Sequence, residues 1–268
     1  MRLPQVFKRW PILEIISVVV AIGIWEAVYL LSPSLQKTLP DPPSVLKAFI
    51  ELNTVGDTNG NVLLLHSLAS LTRLLIGFCI AVITALPLGL LMSVRNVFYR
   101  FFKPLVEIVR PIPPIAWIPV AILLLSITYG SLFIIWLGAF FPILLNTLSG
   151  VKRTSSVLMD VAKTFGANEK TVVYKVVIPS ALPEIFTGLR IGLGVGWMCI
   201  LAAEMFGADF LLGGPLGLGY LVYTYGFSGL MPPTVAVMIT IGLVAFVMNE
   251  VFLRVESRLF KWRVEIAK

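Results

Sequence analysis

Six apolar runs constrain this chain more than any other feature: Leu13–Leu31, Leu68–Val94, Leu105–Ser126, Leu132–Ser149, Ile185–Phe206 and Val235–Phe252. A bilayer core about 30 Å thick takes roughly 20 apolar residues of α-helix. Backbone in lipid finds no water to bond, so a spanning segment must be a helix or part of a closed barrel. Barrel strands would be about ten residues long and alternate in polarity, and that alternation is absent. The expected architecture is therefore an all-α membrane protein with six transmembrane helices. Composition agrees, with 58% hydrophobic and 13% charged residues and a mean hydropathy of +0.94, far more apolar than soluble domains.

Orientation follows from Lys and Arg in the short connections, which stay on the cytoplasmic side. With the N-terminus inside, the inner segments carry Arg2, Lys8, Arg9, Arg95, Arg100, Lys103, Lys152, Arg153, Lys163, Lys170, Lys175, Arg254, Arg258, Lys261, Arg263 and Lys268, and the outer ones only Lys37 and Lys47. Both termini are expected in the cytoplasm, residues 1–12 as a short tail and 13–268 as one transmembrane domain. The first run is too long for a signal-peptide core, and it contains Glu14 and Glu26. The net charge of +7 sits at helix ends rather than along one face, which argues against nucleic acid as a partner. Cys79 and Cys199 lie far apart in apolar runs, and His66 is the sole histidine, so neither a metal site nor hydrolytic chemistry is indicated.

Between the runs, Pro40-Asp41-Pro42-Pro43 is a rigid stretch from which a short outer helix, Val45–Leu52, can start. The connection Gly207–Pro233, with Gly213-Gly214-Pro215 and Gly217-Leu218-Gly219, is expected to be irregular and compact. Arg110-Pro111-Ile112-Pro113-Pro114-Ile115-Ala116-Trp117-Ile118-Pro119 cannot form a regular helix ladder. It reads either as a pathway or gate element or as a fixed kink. Gly188, Gly192 and Gly196 recur every four residues and make a smooth ridge for close helix packing.

The connection at 155–184 is amphipathic rather than spanning. Val157, Leu158, Val161, Ala162 and Phe165 share one helical face, Gly166 stops that helix, and Asn168 caps a second that Pro179 interrupts. The expected pattern is helix, turn, helix, turn. Its apolar stripe must lie against the membrane or against a partner.

This stretch resembles the coupling motif of ABC importer permeases, in which Glu-Ala-Ala is followed after three residues by Gly and after nine more by Ile-x-Leu-Pro. Asp160, Val161 and Ala162 take the first three places, Gly166 the glycine, Val176 and Ile178 the aliphatic places, and Pro179 the proline. The runs Ser70–Phe78, Arg110–Pro119, Gly138–Thr147 and Ala181–Trp197 are similar to the permeases of nitrate, sulfonate, taurine and bicarbonate importers. The resemblance implies a type I importer permease with a cytoplasmic coupling helix between helices 4 and 5, in the inner or plasma membrane of a prokaryote. It implies two permease chains, expected as a homodimer, two cytoplasmic ATPase subunits carrying ATP and Mg, and an external solute-binding protein. This chain itself would be no enzyme and would hold no cofactor. Asp160, Ala162, Gly166 and Ala167 would enter the ATPase groove, with Pro179 and Pro183 fixing the return to the membrane. The solute would be a small anion or zwitterion, with a vitamin precursor as the alternative.

Intramembrane charges cost roughly 2.5–3.5 kcal/mol each unless paired or wet. Glu204 is expected to face the pore or to pair with Arg73 or Arg190. Arg110 is expected either to pair with Glu107 or to attract an anion leaving the pore. Glu26 has no evident partner. Pro113, Pro114, Trp117, Asn146 and Trp197 complete the candidate pathway, although Trp117, Trp136 and Trp197 read more readily as interface or packing residues. A stand-alone ion-coupled carrier would need serial acidic residues at midplane and two related broken-helix repeats, and only one break is apparent.

Overall fold

The computed structural model describes residues 11–34, 36, 38–207 and 215–259. Lys37, the Gly213-Gly214 pair and the basic residues expected at the two termini, among them Arg2, Lys8, Arg9, Lys261, Arg263 and Lys268, lie outside them. Backbone contacts divide the chain into two compact units, residues 1–63 with 221–240 and residues 64–220 with 241–268.

In the first unit, helix α1 (Pro11–Leu31) exposes Ile15, Val18, Val19, Val20, Ile22 and Ile24, an apolar surface on several sides that suits lipid rather than water. Trp25 Nε1 donates to the Pro40 carbonyl at 3.0 Å. Glu26 beside it is half-buried, and its Oε2 has no hydrogen-bond partner among the described residues. Helix α2 spans Pro42–Thr54, longer than the expected Val45–Leu52. The Asp41 carboxylate accepts from the Ser44 N–H at 3.2 Å, and Pro42 and Pro43 fill first-turn positions where a missing N–H costs nothing. Hydrogen bonding by Ser44 holds the Asp41 carboxyl below its usual pKa. Val45, Ala48 and Leu52 form the buried stripe.

The second unit is built on α3 (Leu63–Val94), α4 (Asn96–Val109), α5 (Ile118–Lys152), α6 (Ser156–Thr164), α7 (Glu169–Val172) and α8 (Ile178–Met205), with the last part of α10 (Met231–Leu259). Helix α9 (Leu218–Phe227) begins here and runs into the first unit. The connection before α10, expected to be irregular, is thus helical over much of its described length.

Helix α5 is two antiparallel arms. Ser126 leaves the helical region with φ 66° and ψ 171°. A β-carbon on Gly130 would lie 3.0 Å from the Ala121 carbonyl carbon, whereas a continuous helix would hold these positions about 13 Å apart. The chain therefore reverses at Ser126, and Ile118, Ala121 and Ile134 join one buried cluster. By length and apolarity, the stretches Leu63–Val94, Pro114–Lys152, Glu169–Met205 and Met231–Leu259 suffice to cross a membrane, beside the shorter apolar Ile15–Leu31. Of these, 114–152 contains the reversal.

The expected third span, Leu105–Ser126, is accordingly not one helix. It comprises the end of α4, a turn, a 3₁₀ turn at Pro114–Trp117 and the first arm of α5. Arg110 lines a hollow with Ser149 and Lys152, while Ile118 packs in the cluster of Ile134. Those two levels on α5 are about 22 Å apart. Between them the chain runs through turns at 110–112, one extended residue at Pro113 and the 3₁₀ turn Pro114–Trp117, so the prolines replace a regular helix ladder there.

Glycines set the approach of α5 and α8. A β-carbon on Gly188 would meet Asn146 Cβ at 2.6 Å, one on Gly192 the Ala139 carbonyl oxygen at 3.0 Å, and one on Gly138 the Cys199 Sγ at 2.6 Å. Gly196 faces Leu74 and Ile135, whereas a β-carbon on Gly194 would meet nothing within 4 Å. Gly188→Leu is expected to destabilise the protein by about 1–3 kcal/mol through overpacking, while Gly194→Ala is neutral or slightly stabilising. Melting temperatures of the two variants in one detergent test this, and equal values would overturn the packing argument.

Candidate functional site

The connection after α5 forms the outer surface at one end of the second unit, here termed the loop end. Helix α6 closes with a Schellman motif in which Gly166, at φ +82°, donates its N–H to Lys163 O at 2.9 Å and Ala167 donates to Ala162 O at 3.0 Å. Asn168 then caps α7, its Oδ1 accepting from the Thr171 N–H at 2.8 Å. The expected second turn at Pro179 is absent. A π turn, Val173–Val177, leads straight into α8, with the Ile178 N–H bonding back to Val173 O. This wider turn lies just before Pro179 and lets the chain continue as one helical path from Glu169 to Met205, with Pro183 inside α8.

The two sides of this hairpin differ. Val172 and Val177 are buried, and with Met159, Lys163 and Glu169 they line a hollow of about 380 Å³ under the ends of α3 and α5. On the outside, Val157, Leu158, Val161 and Tyr174 are exposed, and Phe165 is 86% exposed. Asp160, Gly166 and Pro179 are also exposed, while Ala162, Ala167, Val176, Ile178 and Pro183 are half-buried. Arg153 Nη1 donates to Glu184 Oε1 at 2.6 Å, tying the end of α5 to α8.

At the opposite end, Glu204 is 2% exposed and receives three donor groups. Ser70 Oγ donates to it at 2.8 Å, Arg73 Nη1 at 2.8 Å and the Gly219 N–H at 3.0 Å. The same Arg73 nitrogen reaches Leu216 O at 2.7 Å, the Leu218 N–H donates to Ser70 Oγ, and the Gly217 N–H donates to His66 Nδ1 at 3.1 Å. The network fastens residues 216–219 across α3 and α8. Only glycine fits there: a β-carbon on Gly217 would lie 2.6 Å from Glu204 Cδ, and one on Gly219 would overlap the Leu201 carbonyl oxygen. Of the two expected partners, Arg73 holds Glu204, while Arg190 lies 3.7 Å from Glu256.

The pathway candidates are not gathered at one point. Pro113 is exposed, Pro114 opens the 3₁₀ turn, and Trp117 at its end packs against the cluster of Ile118 and Cys199. Asn146 Nδ2 donates to Pro142 O at 2.8 Å, close beside Gly188. Trp197 is 4% exposed. Both Trp117 and Trp197 bury their Nε1 without a partner among the described residues. Trp136 donates to Thr84 Oγ1. The expected Glu107–Arg110 pair is replaced by Glu107 with Lys103, 3.7 Å apart on the α4 surface one turn away. Sequence reasoning missed the bond to His66, the reversal at Ser126 and the close packing of Gly217 and Gly219 in the strap 216–219. The glycine spacing in 217–219 was the available signal, but it read as a turn.

These features define a multi-pass helical membrane protein with a surface hairpin between two packed spans. Residues 67–261 match the family described as binding-protein-dependent transport system inner membrane component. The taurine transport system permease protein of Escherichia coli K12 is 32% identical over 264 residues, 96% of this chain and 94% of the relative. A Methanocaldococcus jannaschii protein that carries the name of an ABC transporter permease is 39% identical over 94% of this chain and 92% of its own. The nitrate import permease of a Synechocystis strain is 30% identical over 90% and 86%. In fold, the chain is similar to a chain from an inward-facing methionine ABC transporter structure, with TM-score 0.58 and 22% identity, covering 72% of this chain and 92% of that one. The chain belongs to the binding-protein-dependent inner membrane component family and is a permease subunit of an ABC importer.

Proposed function

We propose that this permease carries a small anion or zwitterion such as nitrate, bicarbonate, taurine or an alkanesulfonate inward across a prokaryotic inner or plasma membrane, as a homodimer with both termini and the loop end in the cytoplasm. The observation that carries the reading is the exposed apolar face of α6, Val157, Leu158, Val161 and Phe165, on a hairpin with coupling-motif spacing. Apolar surface held out from a protein of this kind needs a partner, and an ATPase subunit on that side fits it. ATP and Mg would reside on the ATPase, and an external binding protein would deliver solute. Closure of the ATPase pair would push the two hairpins together. Residues 155–184 meet α8 without a hinge at Pro179, so that push would pass as rigid-body movement into the helix that packs along α5.

The pathway would run past Pro113, Pro114 and Trp117, where turns and a 3₁₀ segment break the regular helix, and past Asn146 and Trp197 on the two packed helices. Glu204 would act at its outer margin through the strap it holds. Purified with its co-expressed ATPase and binding protein, the permease is expected to hydrolyse ATP faster with taurine, nitrate, bicarbonate or an alkanesulfonate than without. Stimulation by none of these, with stimulation by a vitamin precursor, would overturn the solute class.

A further inference from the structure

Helix α4 is the most sharply two-sided helix among the described residues. Val97, Phe98, Phe101, Leu105 and Ile108 are exposed along one side. On the other, Tyr99, Phe102 and Val106 pack on the core shared by α3 and α5. Arg95 precedes it in extended conformation and turns the chain out of α3. Beneath α4, at the loop end, lies a hollow of about 180 Å³ with an apolar floor of Met92, Val106, Leu145 and Leu148 and a rim of Tyr99, Lys103, Glu107, Arg110, Ser149 and Lys152. Three cations meet one carboxylate. Lys103 Nζ is 3.7 Å from Glu107, and Lys152 Nζ is 3.4 Å from the Tyr99 hydroxyl and 4.5 Å from its ring centroid. Arg110 forms no ion pair among those described, so the rim keeps an excess of positive charge and two hydroxyl donors.

We infer that this hollow holds the phosphate of an anionic phospholipid in the leaflet at the loop end, with α4 lying along that leaflet as an interfacial helix. The rim supplies what a phosphodiester accepts, namely ammonium, guanidinium and hydroxyl donors. A soluble anion has no use for the apolar floor, whereas the glycerol and acyl roots of a lipid do. The exposed stripe of α4 continues that apolar surface into the acyl region, while its basic residues stay at headgroup level, the arrangement of surface-bound amphipathic helices.

The test uses the full-length permease in nanodiscs of equal phosphatidylglycerol and phosphatidylcholine, with retained lipid identified by native mass spectrometry. The wild type is expected to retain phosphatidylglycerol preferentially, and Lys103→Gln/Lys152→Gln to lower that preference on the order of tenfold. A second readout needs no variant: acylation of Lys103 and Lys152 in the wild type should be slower in phosphatidylglycerol discs than in phosphatidylcholine discs. Equal retention of the two lipids by the wild type, or undiminished preference in the variant, overturns the proposal. So does protection of the lysines by inorganic phosphate in detergent without protection by phosphatidylglycerol, which would assign the hollow to a soluble anion.

Discussion

Arg73→Met is expected to lower the stability of the permease by about 3–5 kcal/mol, the cost of removing one partner from a buried ion pair. Arg73 and Glu204 are each 2% exposed and 2.8 Å apart, so the variant leaves a buried carboxylate without its cation. Ser70 and the Gly219 N–H would still donate to it, but two neutral donors do not replace a guanidinium. Leu216 O loses its donor as well. The double variant Arg73→Met/Glu204→Leu removes both charges and is expected to be more stable than the Arg73→Met single, because the stranded charge rather than the lost attraction sets the cost. Thermal unfolding in detergent can be followed by thiol labelling of the buried Cys199 after the exposed Cys79 is replaced by serine. A double variant no more stable than the Arg73→Met single would show that the network acts through shape rather than charge.

That network shows where the sequence stopped being legible. Glu204 and Arg73 announced themselves, because a charge inside an apolar run demands a partner. Their separation of 131 residues gave no hint of the four-residue strap between them, because glycine freedom and glycine smallness look alike in a sequence. Gly217 and Gly219 are small for Glu204 and Leu201, whereas Gly166 is free to turn. The spans were legible where lipid imposes a long apolar run, as in α3 and α8. They failed at Leu105–Ser126, where the prolines break the helix into turns and a 3₁₀ segment and Ser126 reverses the chain without a glycine. At the loop, spacing placed the turn at Gly166 correctly, but Pro179 misled. A proline stops an α-helix whose neighbours keep the four-residue bond pattern, and the π turn at Val173–Val177 changes that pattern locally.

Gly166→Pro is expected to leave membrane insertion intact and to abolish association with the ATPase. Insertion depends on the apolar spans, and a β-carbon at 166 would touch nothing within 4 Å, so packing of the second unit is not at stake. Backbone geometry is: Gly166 sits at φ +82° and donates its N–H to Lys163 O at 2.9 Å. Proline fixes φ near −65° and has no N–H, at a cost of about 3 kcal/mol or more where both are needed. The hairpin would have to reopen at this point, and with it the alignment of Val157, Leu158, Val161 and Phe165 relative to Tyr174. Gly166→Asn separates conformation from mere change, since asparagine tolerates the left-handed region and should keep docking nearly intact. Co-purification of the ATPase on a tagged permease reads the difference directly. Stoichiometric recovery with Gly166→Pro would place the docking site elsewhere on the chain. Loss with both variants would mean that the ATPase groove closes on Gly166 itself and excludes any side chain there.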